Sequence, residues 1–359
     1  MSLSEDMPGA TLEIVDVSRR FGPVVAVDRV SLTLAAGEIV AILGPSGSGK
    51  STLLGMVGGQ LRPDSGDIRI SNHSIVDLAP NKRETATVFQ DYALFPHLTV
   101  AENIAFGLRM HGWNKDAMER QVAYMLELLG LTGYERRAIS QLSGGQRQRV
   151  ATARSLAVQP RVLLLDEPLG ALDRQIRVRL QKELAQLLRR LKMTALLVTH
   201  DQQEAFAMAD RVAVMHQGQL LQIATPGELY RSPRSEFVAT FLGKGQLLNA
   251  RVVSAQPEHL TVEAAGAVFR CRGQAVPGSA VKVLIRPEHV LLKVNDSGDA
   301  VWRDLTVEEV TPAGETTDIV LTRGDLRIES VVLGPASQRL GEKAAVGLSP
   351  DGPVVMPQD

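Results

Sequence analysis

Cysteine, aromatic side chains, net charge and long apolar runs are all scarce in this chain, and each scarcity bears on function. Aromatic residues make up 4% of the 359 positions, and the single cysteine, Cys271, rules out an intrachain disulfide. A lone thiol usually packs as a small apolar side chain, so no redox role is expected. The formal net charge is −1. No global field therefore draws the protein onto nucleic acid or an acidic membrane surface, and no nucleic-acid partner is expected. No stretch approaches the roughly 18 consecutive apolar residues of a spanning helix. The start, Ser4-Glu5-Asp6-Met7-Pro8-Gly9, is acidic where an export signal would be basic and then apolar, and Met1-Ser2-Leu3 carries no structural weight. The expectation is a cytosolic protein that borrows any membrane pathway from partners.

What the chain does have is length for two or three domains and apolar patterning for a sizeable core. Leu12-Glu13-Ile14-Val15, Val30-Ser31-Leu32-Thr33-Leu34 and Ile39-Val40-Ala41-Ile42-Leu43 read as strands, bounded by Gly22-Pro23 and Gly37. The third is apolar throughout, as are Val162–Leu165 and Ala195–Val198, which is the pattern of strands buried on both faces of a mostly parallel sheet. Ile176, Leu180, Leu184, Leu187, Leu188 and Leu191 share one helix face, and the arginines and lysines among them read as its solvated side. Residues 91–155 turn helical, with Met118, Val122, Met125, Leu126 and Leu129 in register. A hairpin is expected at Gln217-Gly218, and Thr225-Pro226-Gly227-Glu228 has the form of a capping box opening a short helix. Beyond Phe241-Leu242-Gly243 come short β-runs cut by Gly, Pro and Asp, the spacing of a small all-β barrel. These features predict an α/β nucleotide domain over 10–243, with a helical insertion at about 91–155, and a β-barrel domain over 244–359.

The chemistry begins where the apolar strand ending at Leu43 runs into Gly44-Pro45-Ser46-Gly47-Ser48-Gly49-Lys50-Ser51-Thr52 and then a helical run. That context marks a P-loop, in which backbone N–H groups at a helix N-terminus cradle a polyphosphate. Glycines at 44, 47 and 49 let the backbone approach the phosphates. Lys50 offers a point charge to the β/γ oxygens, and the Ser51 hydroxyl suits Mg2+. Val162-Leu163-Leu164-Leu165 ends in Asp166-Glu167, two carboxylates that are costly at the exit of an apolar strand unless they meet a cation or a proton donor.

Leu142-Ser143-Gly144-Gly145-Gln146 resembles, letter for letter, the signature of the ATP-binding cassette (ABC) ATPases, a branch of the α/β P-loop NTPases. In that family the signature of one subunit closes over the ATP held by the other, so the resemblance implies a homodimer binding ATP and Mg2+. It also implies roles residue by residue. Asp166 looks like the Walker B aspartate that orients Mg2+, and Glu167 like the general base that polarises the attacking water. His200, in Val198-Thr199-His200-Asp201, resembles the switch histidine. Gln90, in Val88-Phe89-Gln90-Asp91, resembles the Q-loop glutamine that touches Mg2+ or the lytic water and hinges the helical insertion. Ala171-Leu172-Asp173 resembles the D-loop, with Gly170 where the family often has serine, so a hydroxyl contact to the partner is expected to be missing. Phe21 resembles the aromatic that stacks on adenine, with burial in the core as its alternative. Ser143, Gly144, Gly145 and Gln146 would cover the partner's nucleotide.

Phe95-Pro96-His97-Leu98-Thr99-Val100-Ala101-Glu102-Asn103-Ile104 resembles the surface that receives a coupling helix in bacterial importers; simple packing of the insertion is the other reading. One cassette and no span together imply integral membrane permease subunits and, indirectly, a periplasmic substrate-binding protein. The chain would then sit at the cytoplasmic face of the inner membrane. Leu284-Ile285-Arg286-Pro287-Glu288-His289, Thr306–Val310 and Gly314-Glu315-Thr316-Thr317 look like the oligonucleotide-binding-like TOBE module of polyamine and ferric-iron importers. The module shows no run of aromatics with basic residues that would suit single-stranded nucleic acid. Polyamine is the first expectation for cargo, then ferric iron or sulfate. Two other classes stay open: a soluble ABC ATPase of translation or DNA repair, and an oxyanion-sensing regulatory ATPase.

Overall fold

In the computed structural model, residues 9–170, 173–257, 259–293, 300–350 and 352–356 are described. The Met1-Ser2-Leu3 start, the acidic stretch up to Pro8 and the Ala171-Leu172 part of the D-loop lie outside them. Chain contacts divide into two compact units, the first ending at Pro226 and the second beginning at Gly227, upstream of the boundary near 243 that the sequence suggests.

The first unit is built on two sheets. Its elements in chain order are β1 (Leu12–Phe21), β2 (Val24–Leu34), β3 (Ile39–Leu43), α1 (Lys50–Gly58), β4 (Ser65–Ile70), β5 (His73–Ser74) and β6 (Thr85–Val88). Then follow α2 (Val100–Met110), α3 (Lys115–Leu128), α4 (Gly144–Ala157), β7 (Val162–Asp166), α5 (Arg174–Arg190), β8 (Thr194–Thr199), α6 (Gln202–Met208), β9 (Arg211–His216) and β10 (Gln219–Ala224). The six-stranded sheet runs β10-β9-β3-β8-β7-β6 and is parallel except for the β9–β10 hairpin. Its central strands β3 and β8 have no exposed residue, which is why they read as unbroken apolar runs. In parallel α/β sheets, ligand sites form at the carboxyl ends of the strands. Here those ends release Gly44 after β3, Glu167 after β7, His200 after β8 and Phe89-Gln90 after β6. Parallel register alone thus brings together four segments far apart in sequence.

The second sheet, β2-β1-β4-β5, is antiparallel and shares a core with α1 through Leu12, Ile14, Leu34, Leu53, Met56 and Ile68. Helix α1 matters because it carries the P-loop, and its far end is anchored by Arg83. The Arg83 guanidinium, 7% exposed, donates from Nη1 to the carbonyls of Met56 (2.6 Å) and Val57 (2.8 Å), from Nε to Leu78 (3.0 Å) and from Nη2 to Val76 (3.1 Å). A cation at a helix C-terminus meets the negative end of the dipole and satisfies carbonyls that have no intrahelical donor. Burial pulls its pKa below the ordinary arginine value, yet the group has no carboxylate partner in these bonds and is held by carbonyl oxygens.

Helices α2, α3 and α4 follow one another between β6 and β7. Helix α2 begins with a reciprocal capping box between Thr99 and Glu102, and buried Asn103 pins the preceding turn by hydrogen bonds with Phe95 N–H (2.9 Å), Phe95 O (3.1 Å) and Thr99 O (2.9 Å). The solvated-face reading of α5 holds for Arg179 and Arg189, which pair with Glu183 and Asp210.

Short helices lie at Pro226–Arg231, which begins at the boundary, and at Glu236–Phe241, and among the described residues of the second unit the remaining regular structure is β-strand and a 3-10 turn at Pro287–His289. Strands Gln246–Ala255, His259–Ala264, Ala267–Arg272, Val354–Val355 and Ala280–Ile285 close into the expected barrel. A further five-stranded sheet, Val290–Lys293, Lys343–Leu348, Trp302–Pro312, Thr316–Arg323 and Leu326–Leu333, accompanies it and shares one apolar core containing Phe269, Trp302, Val307, Leu321 and Ile328. Cys271 lies in that core as a free thiol pushed up to about 11 by burial, in line with an inert packing role.

Arg83→Met should remove the guanidinium donors of the Met56, Val57, Val76 and Leu78 carbonyls, of which Met56 keeps the Gly59 N–H (3.3 Å), and cost about 3 kcal/mol or more, with Arg83→Lys recovering little because a point charge cannot span four acceptors. Denaturant titration of both variants checks this; a loss below about 1 kcal/mol for Arg83→Met would show that water replaces the guanidinium freely.

Candidate active site

The loop after β3 cannot accommodate side chains where it approaches other backbone. A Cβ on Gly44 would lie 2.2 Å from the Met215 carbonyl oxygen, and one on Gly49 would lie 2.1 Å from that of Ala26. Gly49 is also left-handed at φ 102° and caps α1. With Gly47 at φ 79°, the chain makes a turn in which Lys50 Nζ folds back to donate to the carbonyls of Gly44 and Pro45, both at 2.9 Å. Lys50 is 5% exposed; burial lowers its pKa, and the Glu167 and Asp166 carboxylates push the other way. The Ser48 hydroxyl is buried without a hydrogen-bond partner. A buried cation, an orphaned hydroxyl and a turn closed to Cβ atoms form a cradle suited to the phosphates of ATP. Pro45, Ser46 and Thr52 complete the loop, with Ser46 exposed on its rim.

Across from it stand the two carboxylates. Ser51 Oγ lies 3.3 Å from Asp166 Oδ1, so the hydroxyl and the Walker B-like carboxylate converge on one place. Burial raises the Asp166 pKa, and the Glu167 charge adds to this against the Ser51 bond and Lys50. Glu167 has φ 44°, left-handed for a non-glycine residue, a conformation that costs on the order of 1–3 kcal/mol. The strain is held by its N–H to Val198 O (2.9 Å) and its carbonyl to Gly170 N–H (3.1 Å). It turns the carboxylate toward His200, whose Nδ1 lies 2.9 Å from Glu167 Oε1. Gln90 belongs to the same place: a Cβ on Gly170 would lie 3.7 Å from Glu167 Oε2 and 3.8 Å from Gln90 Nε2. These are ordinary contacts and Gly170 needs no positive φ, so its glycine is not sterically required.

Phe21 ends β1, is 45% exposed and lies under the Arg19 guanidinium at 5.0 Å, so its ring is outside the core and the burial alternative falls. It pairs with Val24, two residues before the Ala26 carbonyl that abuts Gly49. The signature residues occupy another element. Ser143 caps α4 in a reciprocal box with Gln146, Gln146 Nε2 also donates to Tyr134 Oη (3.1 Å), and Gly145 faces Leu180 of α5. The hydrogen bonds of Ser143 and Gln146 stay within the helical insertion, while Ser143 is exposed and Gly144 and Gly145 are half-buried. Asp173 is exposed and caps α5 by accepting from Ile176 N–H at 3.0 Å.

Two residues of the site escape sequence reasoning. Arg154 on α4 donates to the carbonyls of Ala93 (2.6 Å) and Tyr92 (2.8 Å), both left-handed at φ 45° and 65°, and thereby holds the turn behind Gln90. Nothing local marks it, because its partners lie in a different segment. Glu204, 3% exposed on α6, accepts from the Thr199 hydroxyl, and burial pushes its pKa up to about 7. A carboxylate in the first turn after the capping Asp201 reads in sequence as a surface helix start.

Residues 27–170 match the ABC transporter family model and residues 283–356 match the TOBE domain. A spermidine/putrescine import ATP-binding protein of Pseudomonas aeruginosa is 44% identical over 327 residues, covering 89% of this chain and 90% of the relative. The chain belongs to the ABC transporter ATPases. The corresponding Thermotoga maritima protein is 45% identical over 287 residues, covering 79% of this chain and 78% of the relative. A sulfate/thiosulfate import ATP-binding protein of Chromobacterium violaceum is 46% identical over 312 residues, covering 86% of this chain and 83% of the relative. This ABC subunit is an ATPase coupled to transport, with a TOBE module at its C-terminal end.

Glu204 is protonated in the fold up to about pH 7 and in the unfolded chain only to about pH 4.5. Its ionisation therefore costs stability that sets in as pH rises from 4.5 and is fully felt above 7. Glu204→Gln should raise Tm at pH 8 by roughly a few degrees and do less at pH 5. Equal shifts at the two pH values would show that the carboxyl ionises freely.

Proposed function

We propose that this ABC subunit hydrolyses ATP as a homodimer and so powers import of a small solute, polyamine first, through separate integral membrane permeases. The observation that carries the hydrolytic part is the 2.9 Å approach of His200 to Glu167 beside the Lys50 loop. Glu167 accepts the proton of the attacking water, and His200 holds the carboxylate oriented through Oε1. Lys50 and the loop N–H groups bind the triphosphate, and Gln90 shares the space next to the base. Mg2+ would be held by Ser51, with Asp166 behind it and Gln90 alongside, and would neutralise charge on the phosphates. Among the described residues no group of three His, Cys, Asp or Glu side chains forms a metal cage, so such an ion would take its remaining oxygens from phosphates and water. Ser143, Gly144, Gly145 and Gln146 are the surface that would close on the partner's nucleotide, with Asp173 beside it and Phe21 against adenine.

The membrane side has its own support. Between α2 and α3 lies a groove of about 660 Å³, floored by Ala105, Met118, Val122 and Leu126 and rimmed by Glu102, Glu119, Glu127 and Glu135. An apolar floor of this size suits a docked helix. No described helix is long and apolar enough to cross a membrane. In this reading permease subunits supply the pathway, a periplasmic binding protein delivers the solute and this chain works at the cytoplasmic face. Polyamine leads because several relatives over most of the chain carry that name; of the two choices behind it, ferric iron and sulfate, sulfate is favoured because the Chromobacterium violaceum protein is as similar.

Glu167→Gln is expected to keep ATP binding, lower turnover by at least about a hundredfold and accumulate an ATP-dependent dimer in size-exclusion chromatography. Near-normal turnover would remove Glu167 from the base role, and a trapped monomer would remove the sandwich. Deleting the gene should abolish uptake of labelled spermidine and spare uptake of labelled sulfate; the opposite result overturns the choice of cargo.

A further inference from the structure

Between the two functional side chains runs a second, indirect connection that the family motifs do not describe. Arg177 sits one turn into α5, its N–H bonded to Asp173 O at 2.9 Å. Its guanidinium forks: Nη1 donates to Asp201 Oδ2 at 3.3 Å, and Nη2 to the Gly170 carbonyl at 3.4 Å. Gly170 closes the strained turn that starts at Glu167, and Asp201 follows His200 directly. The other Asp201 oxygen, Oδ1, caps α6 by accepting from Gln203 N–H (2.8 Å) and Glu204 N–H (3.2 Å). The Asp201 N–H donates to Thr199 Oγ1 at 3.0 Å, and the Thr199 hydroxyl in turn donates to buried Glu204. His200 is thus flanked by two residues whose polar groups are fixed. From Glu167 through His200, Asp201, Arg177 and Gly170 the chain of contacts returns to Glu167 and closes a ring.

We propose that Arg177 is a positioning residue for ATP hydrolysis: by tying the turn after Glu167 to the turn after His200, it sets the distance between base and histidine. The ring also includes the start of α5, whose cap is Asp173. A displacement of that helix end is therefore felt by the base and the histidine together, and not by Lys50, whose ammonium donates to the Gly44 and Pro45 carbonyls outside the ring. The effect belongs in turnover and not in nucleotide affinity. An arginine is suited to it because two nitrogens of one planar group reach two acceptors, which the single ammonium of lysine does not. The inference rests on the roles proposed for Glu167 and His200, and those stand or fall with Glu167→Gln, which leaves Arg177 in place.

Steady-state ATPase of the full chain tests it. Arg177→Met is expected to lower kcat about tenfold with KM for ATP within about twofold, and Arg177→Lys to lie between it and the parent. Asp201→Asn should lower kcat similarly, and the double variant Arg177→Met/Asp201→Asn should be no slower than the slower single variant, because both break the same link. Multiplying effects, a rise in KM without loss of kcat, or a parent-like kcat for Arg177→Met would each overturn the proposal. Should Arg177→Met fail to fold by circular dichroism, the cycle is run with Arg177→Lys, where a parent-like kcat has the same force.

Discussion

Everything in the first unit answers to one constraint: a triphosphate can be gripped by backbone N–H groups only where no side chain stands between. At Gly44 and Gly49 the neighbouring carbonyls come within about the length of a bond and a half of where a Cβ would be, so the loop is a tight fit to its own scaffold before any nucleotide is considered. The carbonyls concerned belong to β2 and β9, strands of the two different sheets, so both sheets take part in shaping the cradle. Its opposite end is fixed by Arg83, far along the chain but at the other terminus of the same helix. The shape of the loop is therefore a property of the whole unit and not of the nine-residue motif.

Around that cradle the structure places strain and charge together. Glu167, Tyr92 and Ala93 all hold left-handed backbone, and each is restrained from a distant segment: Glu167 by Val198, with Gly170 closing its own turn, and the Tyr92–Ala93 pair by Arg154. Such conformations persist only where the surroundings over-determine them. Asp166 and Lys50 show the electrostatic counterpart, since burial works against the charged form of both while each favours the other's.

Much of this was legible in the sequence because it depends on local pattern. The apolar runs of β3, β7 and β8 identify buried parallel strands, and once the strands are placed the residues at their ends fall together without knowledge of any contact. The hairpin at Gln217-Gly218 and the short helix starting at Pro226 follow from turn chemistry in the same way. What stayed hidden is long-range. Strands β4, β5 and β6 are short and half-exposed, so no periodicity marks them. The barrel's companion sheet could not be separated from the barrel because strands of both alternate alike and bury into one core. Arg83, Arg154 and Glu204 are ordinary polar letters whose meaning comes only from the carbonyls, the hydroxyl and the burial that the fold supplies.

The seclusion of Cys271 has a practical side. Its sulfur lies inside the apolar core of the second unit and ionises only at about 11, so maleimide reagents at neutral pH meet almost no native thiolate. A pair of engineered surface cysteines would carry spin or fluorescent probes on a silent background. Distances within this molecule are thus open to spectroscopic ruler measurements without first removing any natural residue.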